Sequence, residues 1–349
     1  MRFPSFLSEG GRVGFAAPSF GCTIEPYRSA FQNSLRNWHN EGYHTVLGPN
    51  CYKEDGIGIS STPENCGAEI MEAFCDETSP LYAADALISC GGGELMCGIL
   101  PHIDFERLKE APPKWFLGYS DNTNLIFPLA LLCDTAAIYG PCAPAFGTEP
   151  RHEAIQMAED VLTGKRLEFK GFEKFELESL KTEENPLVSY NTTEPSLKRM
   201  FIGNKEVSEL SVSGRLLGGC LDCLQLHCGT KYDKVSEFSE KYKKDGILWF
   251  LEACDLNPLS VYRALWQLDE AGWFEGASGF LIGRPMHYGE EIMGLTQCDA
   301  VLKILGKYGL PILMDADIGH LPPAIPIVSG SIGHVQAGDG NWSLKMELK

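Results

Sequence analysis

The sequence predicts an α/β protein whose first part contains a parallel β-sheet covered by helices. Two observations favour this class: short apolar strands alternate with segments of helical spacing, and turn-forming residues follow those strands. Ligands bind at the carboxyl ends of the strands in such sheets. The chain has 349 residues, which is enough for two domains.

The elements of the first part alternate as far as about residue 150. Helices are predicted over 26–42 and 62–76, the second with Thr62 as its N-cap and Pro63 at its first position. A strand that ends in a turn is predicted over 11–19, and further strands are predicted at 43–47, 86–90 and 115–119. Turns after three of these strands contain Ser19, the Gly91–Gly93 run and Ser120. We therefore expect these three turns at one edge of the sheet.

Three domains or segments are expected along the chain. Residues 1–150 form an N-terminal domain that carries a candidate nucleophile. Residues 151–213 are polar and acidic and form a connection with one helix and at most short strands. Residues 214–349 form a second domain, with strands at 245–252, 278–283 and 311–317, helices at 260–271 and 297–308, and an antiparallel pair around Asp339–Gly340.

Composition excludes several classes of protein. The formal net charge of −18 argues against binding to nucleic acid and to anionic membranes. No apolar run reaches the length of about 18 residues that a membrane span needs, and no export signal is recognised. The 13 cysteines are odd in number and scattered through apolar segments. They indicate reduced thiols, and hence a cytoplasmic protein.

The most informative segment is 114–132, where an apolar strand stops at Ser120 and a second apolar run follows Asn124. A serine at a sharp strand-to-helix turn exposes its hydroxyl, and the helix behind it offers backbone N–H groups to a developing negative charge. Asn122 stands where the esterase pattern G-x-S-x-G has its last glycine. The turn is typical of a nucleophilic serine but also of an ordinary helix cap.

A nucleophilic serine needs a base, and the base needs an orienting acid. Glu252 ends an apolar strand, where a carboxylate is costly without a partner, and Asp255 is a nearby competitor. His320 follows a later strand in a loop that contains Gly319 and two prolines. Each of these residues alone is more often structural, so the catalytic hypothesis depends on Ser120, Glu252 and His320 together.

Two further motifs carry weaker hypotheses. The Gly91–Gly93 run lacks the lysine and the spacing of a phosphate-binding loop, and it indicates a tight turn or a backbone donor for an oxyanion. Cys220 and Cys223, with His227 and Cys228, have a spacing that could suggest a metal site. Their neighbours are core leucines and no second cysteine pair completes a tetrahedral set, so no metal is predicted.

These motifs, in this order, resemble the LD-carboxypeptidase family of serine peptidases. The resemblance rests on Ser120 within Gly-Tyr-Ser-Asp, on Gly92–Gly93 followed by the segment 100–105, on Glu252 at a strand end, and on Gly319–His320 before a proline-containing loop. It covers nearly the whole chain. It implies an N-terminal flavodoxin-like layered sheet and a smaller, β-rich C-terminal domain, with the active site in the groove between them.

The resemblance also implies a role for each site residue. Ser120 is expected to be the nucleophile, His320 the general base and then acid, and Glu252 the residue that orients the imidazole. The backbone N–H groups of Gly93 and Asp121 are expected to form the oxyanion hole. Family members are usually cytoplasmic homodimers that need no metal or other cofactor, so none is expected here.

Two substrate classes are compatible with the family. One branch cleaves a terminal D-alanine from a cell-wall muropeptide, and the other, microcin C7 self-immunity proteins, cleaves an amino acid from a modified nucleotide. The long segment 165–213 favours the second branch, in which an aromatic residue stacks on the base; Tyr190 is its only tyrosine. Gly92 and Glu94 are further candidates for substrate contact, and the charge of Glu94 is expected to repel a free terminal carboxylate.

Two alternatives remain at the level of the sequence. The same fold could bind a peptide or a nucleotide conjugate without turnover. A cysteine-dependent, class I amidotransferase-like enzyme is the other alternative, but the nearest cysteine, Cys133, falls inside the helix that follows Ser120.

Overall fold

The computed structural model describes residues 1–349 and divides into two compact units. The first unit contains residues 1–166 and 178–191, and the second contains residues 167–177 and 192–349. The first unit contains all of residues 1–150, the range predicted for the N-terminal domain. The segment expected as a connection, 151–213, is shared between the two units. No helix is both long and apolar enough to cross a membrane.

The first unit is built around parallel strands, as the alternation of strands and helices predicts. Its strands lie in the order β5–β4–β3–β1–β2, and every neighbouring pair is parallel. Their bounds are β1 (Arg12–Ala16), β2 (His44–Leu47), β3 (Ala86–Ser89), β4 (Trp115–Gly118) and β5 (Ala137–Tyr139). Strands β3, β4 and β5 are buried throughout, which explains their continuous apolar sequence.

The helices of the first unit include those that the sequence predicts. Thr62 caps α2 by accepting a hydrogen bond from the Asn65 N–H, with Pro63 at the first position. The helices are α1 (Tyr27–Asn40), α2 (Pro63–Cys75), α3 (Phe105–Glu110), α4 (Thr123–Cys133) and α5 (Glu153–Thr163), with 3₁₀ turns at Met96–His102, Ser120–Asn122 and Ala143–Gly147.

The second unit contains a mixed sheet of nine strands. Its bounds are β6 (Glu168–Lys170), β9 (Arg199–Ile202), β10 (Lys205–Val207), β11 (Glu209–Cys220), β12 (Ile247–Glu252), β13 (Ala277–Gly283), β16 (Pro311–Ala316), β18 (Ile332–Gly338) and β19 (Asn341–Glu347). The order is β10–β9–β16–β13–β12–β11–β18–β19–β6. The four central strands, from β16 to β11, are parallel, and the flanking pairs are antiparallel.

Shorter elements complete the second unit. The remaining strands are β7 (Lys174–Phe175), β8 (Glu194–Pro195), β14 (Glu291–Ile292), β15 (Leu295–Thr296) and β17 (Ile327–Ser329), and the helices are α6 (Leu221–His227), α7 (Val235–Lys241), α8 (Pro258–Glu270) and α9 (Gln297–Leu305), with a 3₁₀ turn at Gly306–Tyr308. The antiparallel pair around Asp339–Gly340 is confirmed as β18 and β19.

Strand β11 begins earlier than the predicted start of the second domain at residue 214. Its first half alternates exposed and buried side chains, from Glu209 to Gly214. It pairs there with β18, in the antiparallel part of the sheet. Only the half after Gly214 is continuously buried, and this half lies within the predicted second domain. The polar, alternating half resembles a connection when only composition is considered.

Candidate active site

The backbone turns sharply at Ser120, between β4 and α4. Strand β4 ends at Gly118, and Ser120 adopts a positive φ of 63° before the 3₁₀ turn Ser120–Asn122 leads into α4. A non-glycine residue in this region is strained, and such strain is concentrated at functional sites. The sharp strand-to-helix turn predicted from the sequence is therefore present, with Ser120 at its bend and α4 directly behind it.

The polar residues after Ser120 do not cap α4; they tie neighbouring turns together. The buried Asp121 carboxylate accepts hydrogen bonds from the Ser19 hydroxyl at 2.6 Å and the Met96 N–H at 3.0 Å. The Asn122 amide donates to the Gly91 carbonyl at 2.9 Å, and Asn124 donates to Asp121 Oδ1 at 2.8 Å. The three strand-end turns expected from the sequence are thus held as one cluster.

Two glycines of the Gly91–Gly93 run leave little space for a side chain. A Cβ on Gly92 would lie 3.1 Å from the Cβ and 3.2 Å from the Oγ of Ser120. A Cβ on Gly93 would overlap the Ser19 hydroxyl. The run is therefore a tight turn packed directly against the serine, because any larger residue would push the two turns apart.

Other residues around Ser120 could not be recognised from local sequence. The Ser120 N–H donates to the Tyr139 hydroxyl at 3.1 Å, which fixes the backbone at the bend. The buried Glu69 carboxylate accepts from the Ala17 N–H at 2.8 Å and the Asn50 N–H at 3.0 Å, next to the Ser19 turn. Burial raises the pKa of Glu69 to about 7, against the opposing effect of these hydrogen bonds. Among these residues, only Tyr139 lies at the end of a strand, which is the one feature of the sequence that could have indicated its place near Ser120.

In the second unit, His320 and Glu252 form a buried pair. The His320 Nδ1–H donates to Glu252 Oε2 over 2.8 Å, with side-chain exposures of 11% and 0%. Glu252 is the last residue of β12, and His320 lies in the loop after β16. The sequence-based expectation that a strand-end carboxylate here needs a partner is met by this imidazole.

The electrostatics of the pair favour a protonated imidazole. Burial by itself disfavours the charged ring, but the negative charge of Glu252 and hydrogen bonds to Glu252 and Cys254 outweigh it, so the pKa of His320 is raised well above its usual value. Burial raises the pKa of the Cys254 thiol, and His320 partly opposes that rise. Asp222 fixes the loop that follows β12, because its carboxylate accepts hydrogen bonds from the Cys254 N–H at 3.0 Å and the Asp255 N–H at 2.9 Å.

Gly319 lets the histidine loop approach Glu252 closely. Its φ is +101°, and a Cβ there would lie 2.6 Å from Glu252 Oε2. Both the backbone conformation and the lack of space therefore require glycine at this position. This gives a physical reason for the Gly-His pattern.

The remaining candidates lie elsewhere. Glu94 is exposed at the end of the glycine run, and the Tyr190 ring lies 5.2 Å from the ring of His152. Cys133 is buried inside α4, and burial raises the pKa of its thiol to about 12, which makes it a poor nucleophile. No group of three or more His, Cys, Asp or Glu side chains in the structure could hold a metal ion.

The structure therefore assembles two sets of candidate residues. The first unit holds Ser120 with Gly92, Gly93 and Asp121, together with Glu94 and Tyr190. The second unit holds the hydrogen-bonded pair of Glu252 and His320.

Comparison with protein families gives two matches, which together span most of the chain. Residues 13–140 match the LD-carboxypeptidase N-terminal domain, and residues 213–335 match the LD-carboxypeptidase C-terminal domain. Two curated relatives whose names assign them provisionally to the carboxypeptidases are each 25% identical. The protein from Streptomyces coelicolor covers 98% of this chain and 95% of its own length, and the protein from Vibrio cholerae covers 99% and 98%.

A third relative is the microcin C7 self-immunity protein MccF of Escherichia coli, 23% identical over 93% of this chain and 90% of that protein. Among solved structures, an MccF-like protein from Bacillus anthracis superposes with a TM-score of 0.80 at 20% identity, covering 100% of both chains. A muramoyltetrapeptide carboxypeptidase from Oxalobacter formigenes gives 0.70 at 19% identity, covering 96% of this chain and 98% of that chain. These likenesses establish the mixed α/β, two-domain fold.

Proposed function

The chain belongs to the LD-carboxypeptidase family and is a peptidase of that family, and from this premise we propose that it hydrolyses an amide with a Ser120–His320–Glu252 triad. The observation that carries the proposal is the buried Glu252–His320 hydrogen bond of 2.8 Å. Burying a carboxylate and an imidazole together fixes the orientation and the tautomer of the ring. A base held in this way is what a serine nucleophile requires.

Ser120 is the proposed nucleophile. Its positive φ places it on a bend between a buried strand and α4, as in other strand-to-helix nucleophile turns. The close approach of Gly92 to Ser120 and the hydrogen bond that the Ser120 N–H donates to the Tyr139 hydroxyl restrict the bend. A nucleophile held on a rigid turn loses little entropy when it attacks.

The backbone N–H groups of Gly93 and Asp121 are the proposed oxyanion donors. Both belong to turns that the Asp121 side chain joins, through Ser19 and Met96. Asp121 also lies in the 3₁₀ turn that leads into α4, where the helix dipole favours negative charge. Donors fixed before the reaction stabilise a developing oxyanion without the cost of reorganisation.

The proposed reaction proceeds through an acyl-enzyme. Ser120 Oγ attacks the carbonyl carbon while His320 Nε2 takes the hydroxyl proton, and Gly93 and Asp121 stabilise the resulting oxyanion. The tetrahedral intermediate collapses as His320 returns the proton to the leaving nitrogen. Water, deprotonated by His320, then attacks the ester and releases the carboxylic acid and Ser120. Glu252 stabilises the imidazolium in both halves, and these steps call for no metal or other cofactor.

We propose an aminoacyl-nucleotide conjugate as the substrate class to be tested first. Glu94 is exposed next to the glycine turn, where its negative charge disfavours a free terminal carboxylate. MccF structures with aspartyl sulfamoyl adenosine and with glutamyl sulfamoyl guanosine share this fold. Residues 178–191, with Tyr190, belong to the same unit as Ser120 and are candidates for contact with the base.

A muropeptide ending in D-alanine is the second candidate, because the family and the names of two relatives point to carboxypeptidase activity. Mass spectrometry of products from an aminoacyl sulfamoyl-adenylate and from a D-Ala-terminated tetrapeptide separates the two classes. We expect cleavage of the first by the wild type and none by Ser120→Ala. Glu94→Gln should improve cleavage of the tetrapeptide, and a loss or no change would count against the role given to Glu94.

The alternative is a protein that binds such a molecule without turnover. Calorimetry on the same two compounds distinguishes it: binding without product in the wild type would support the alternative and remove the triad. We also propose that the protein is a cytoplasmic homodimer, as the family resemblance implies. Light scattering during gel filtration measures the mass directly, and a mass near 38.4 kDa would contradict the dimer.

A further inference from the structure

A buried ion cluster lies on the chain segment that carries His320. Asp317 is fully buried three residues before the histidine, just after β16. Its carboxylate accepts hydrogen bonds from charged side chains, a hydroxyl, an indole and a backbone N–H, contributed by Arg284, Lys198, Ser196, Trp342 and Phe172. This carboxylate accepts more hydrogen bonds than are needed to pair a buried carboxylate. Its donors come from segments of the unit that are far apart in the sequence.

Arg284 links the two ends of the histidine loop. It follows β13 and is fully buried, with Nη1 2.5 Å from Asp317 Oδ1 and 3.3 Å from the Asp315 carbonyl. Its Nη2 donates to the carbonyls of Leu321 and Pro323, both at 3.0 Å. The Arg284 guanidinium therefore forms hydrogen bonds to the chain on both sides of His320.

Only arginine has the geometry to make these hydrogen bonds together. A planar guanidinium can donate to a carboxylate along one edge and to carbonyls along another, whereas an ammonium has three donors on one atom and cannot span them. These contacts matter because Gly319 lies so close to Glu252 that a Cβ there would come within 2.6 Å of Oε2. Any shift of the loop changes the 2.8 Å bond between His320 and Glu252.

We propose that Arg284 and Asp317 are positioning residues for His320, which they hold at the distance and angle that its bond to Glu252 requires. This inference rests on the proposed role of His320 as the base. Neither residue is required to touch the substrate. A substitution of Arg284 should therefore change the catalytic rate constant and the titration of His320, and leave the affinity for substrate unchanged.

Arg215 provides a matched control in the same unit. It is also buried, it pairs with Asp245 at 2.6 Å, and it donates to the carbonyls of Gly330 at 2.5 Å and Lys349 at 3.0 Å. None of these partners lies in the histidine loop. Arg284→Lys and Arg215→Lys therefore remove similar buried contacts, but only the first loosens His320.

The test measures kcat, KM and thermal unfolding for the wild type and both variants, on whichever substrate the mass spectrometry identifies. We expect Arg284→Lys to lower kcat by about 10- to 100-fold with KM unchanged within about twofold, because small misplacement of a base is costly. Arg215→Lys should unfold at a lower temperature with a normal kcat. Equal losses of kcat in the two variants, or a normal kcat in Arg284→Lys, would overturn the proposal.

A second readout needs no activity. In protein labelled with [¹³C]histidine, the His320 resonance is assigned by its absence in His320→Gln and then titrated. Arg284→Lys should lower the pKa of His320 towards its usual value, and Arg215→Lys should leave it in place; an unchanged titration in Arg284→Lys overturns the inference. Should the protein lack hydrolase activity, this titration still decides the positioning role separately from the proposed function.

A milder variant covers the case in which Arg284→Lys does not fold. Trp342→Phe keeps an aromatic ring but removes the indole donor to Asp317, which lies 2.8 Å away. We expect kcat to fall by about two- to fivefold and the His320 titration to shift in the same direction as in Arg284→Lys. A wild-type kcat together with a wild-type titration in this variant would contradict the proposal.

Discussion

Two of the Glu–His pairs in the second unit have different surroundings. In one, His320 and Glu252 are buried and 2.8 Å apart. In the other, His334 Nε2 lies 3.6 Å from Glu347 Oε2, and the side chains are 43% and 41% exposed. The exposed pair even has a serine, since Ser213 Oγ lies 2.8 Å from His334 Nδ1. Ser213, His334 and Glu347 thus have the residue types of a catalytic triad within this unit. The buried pair supplies only the Glu and the His.

The difference shows which features beyond residue type matter. Ser213 lies within β11, directly opposite His334 in the β11–β18 ladder, so its neighbours are ordinary strand residues. Ser120 instead lies at a strained bend in front of α4. Water screens the exposed pair, whereas the buried pair interacts through a medium of low dielectric constant. Backbone geometry and burial, and not composition, distinguish the candidate site from these surface contacts.

The largest effect should come from replacing Ser120 with alanine, and the same replacement of Ser213 is the control. Ser120→Ala should lower kcat by about a million-fold, to the detection limit of the assay, because it removes the proposed attacking atom. Ser213→Ala should retain wild-type activity, since it removes only one exposed hydrogen bond. Product formation followed by mass spectrometry measures both variants. Activity in Ser120→Ala would remove the distinction between the two serines.

The two glutamates should differ almost as much. Glu252→Gln should lower kcat by about 10,000-fold, because a neutral amide no longer stabilises the imidazolium or fixes its tautomer. Glu347→Gln should change kcat by less than about twofold, since exposed pairs contribute little. Steady-state kinetics decides the matter, and similar values for the two variants would show that burial is not the determining factor.

Two glycines sharpen the comparison through the backbone. Gly319→Ala places a Cβ 2.6 Å from Glu252 Oε2 at a φ of +101°, and should lower the free energy of unfolding by about 2 kcal/mol and kcat by about 100-fold. Gly340→Ala has a φ of +74° and nothing within 4 Å, and should lower the free energy of unfolding by about 1 kcal/mol with normal kcat. Urea denaturation and kinetics test the pair. Normal activity in Gly319→Ala would show that the close approach to Glu252 is dispensable.

The smallest effect concerns pH. Because the folded-state pKa of His320 is raised, its stabilising contribution is complete below the unfolded value of about 6.5 and is lost as the pH rises through the folded value. The base role proposed for His320 requires the neutral ring, so kcat/KM should rise with pH and inflect well above pH 6.5. Glu252→Gln should move this inflection to lower pH, and Glu347→Gln should leave it. A wild-type inflection at or below pH 6.5 would contradict the raised pKa.

Local patterns predicted much of this architecture. The alternation of strands and helices gave the parallel sheet, the Thr62–Pro63 pair gave the start of α2, and two charged or ionisable strand-end residues, Glu252 and His320, proved to be hydrogen-bonded to each other. These signals work because each depends on neighbouring residues or on the cost of a buried charge.

Contacts between distant segments were not predictable in this way. Asp121 and Asn122 have the sequence of helix caps, yet their side chains bind Ser19 and Gly91, which are 102 and 31 residues away. The same limitation hid Asp317 and its partners. Arg284 was the exception that could have been noticed, because it directly follows the apolar strand β13 as a charged residue, just as Glu252 ends β12.

The exchange of segments between the two units has a consequence for synthesis of the protein. The chain passes from one unit to the other after residues 166, 177 and 191, and strand β6 pairs with the last strand, β19. At roughly 5 to 20 residues per second, the ribosome completes β19 many seconds after β6 has emerged. The edge of β6 must therefore stay unpaired throughout that interval. The nine-stranded sheet can form completely only after β19 has left the exit tunnel, so nascent chains that stall before that point would expose the edge of β6 to chaperones.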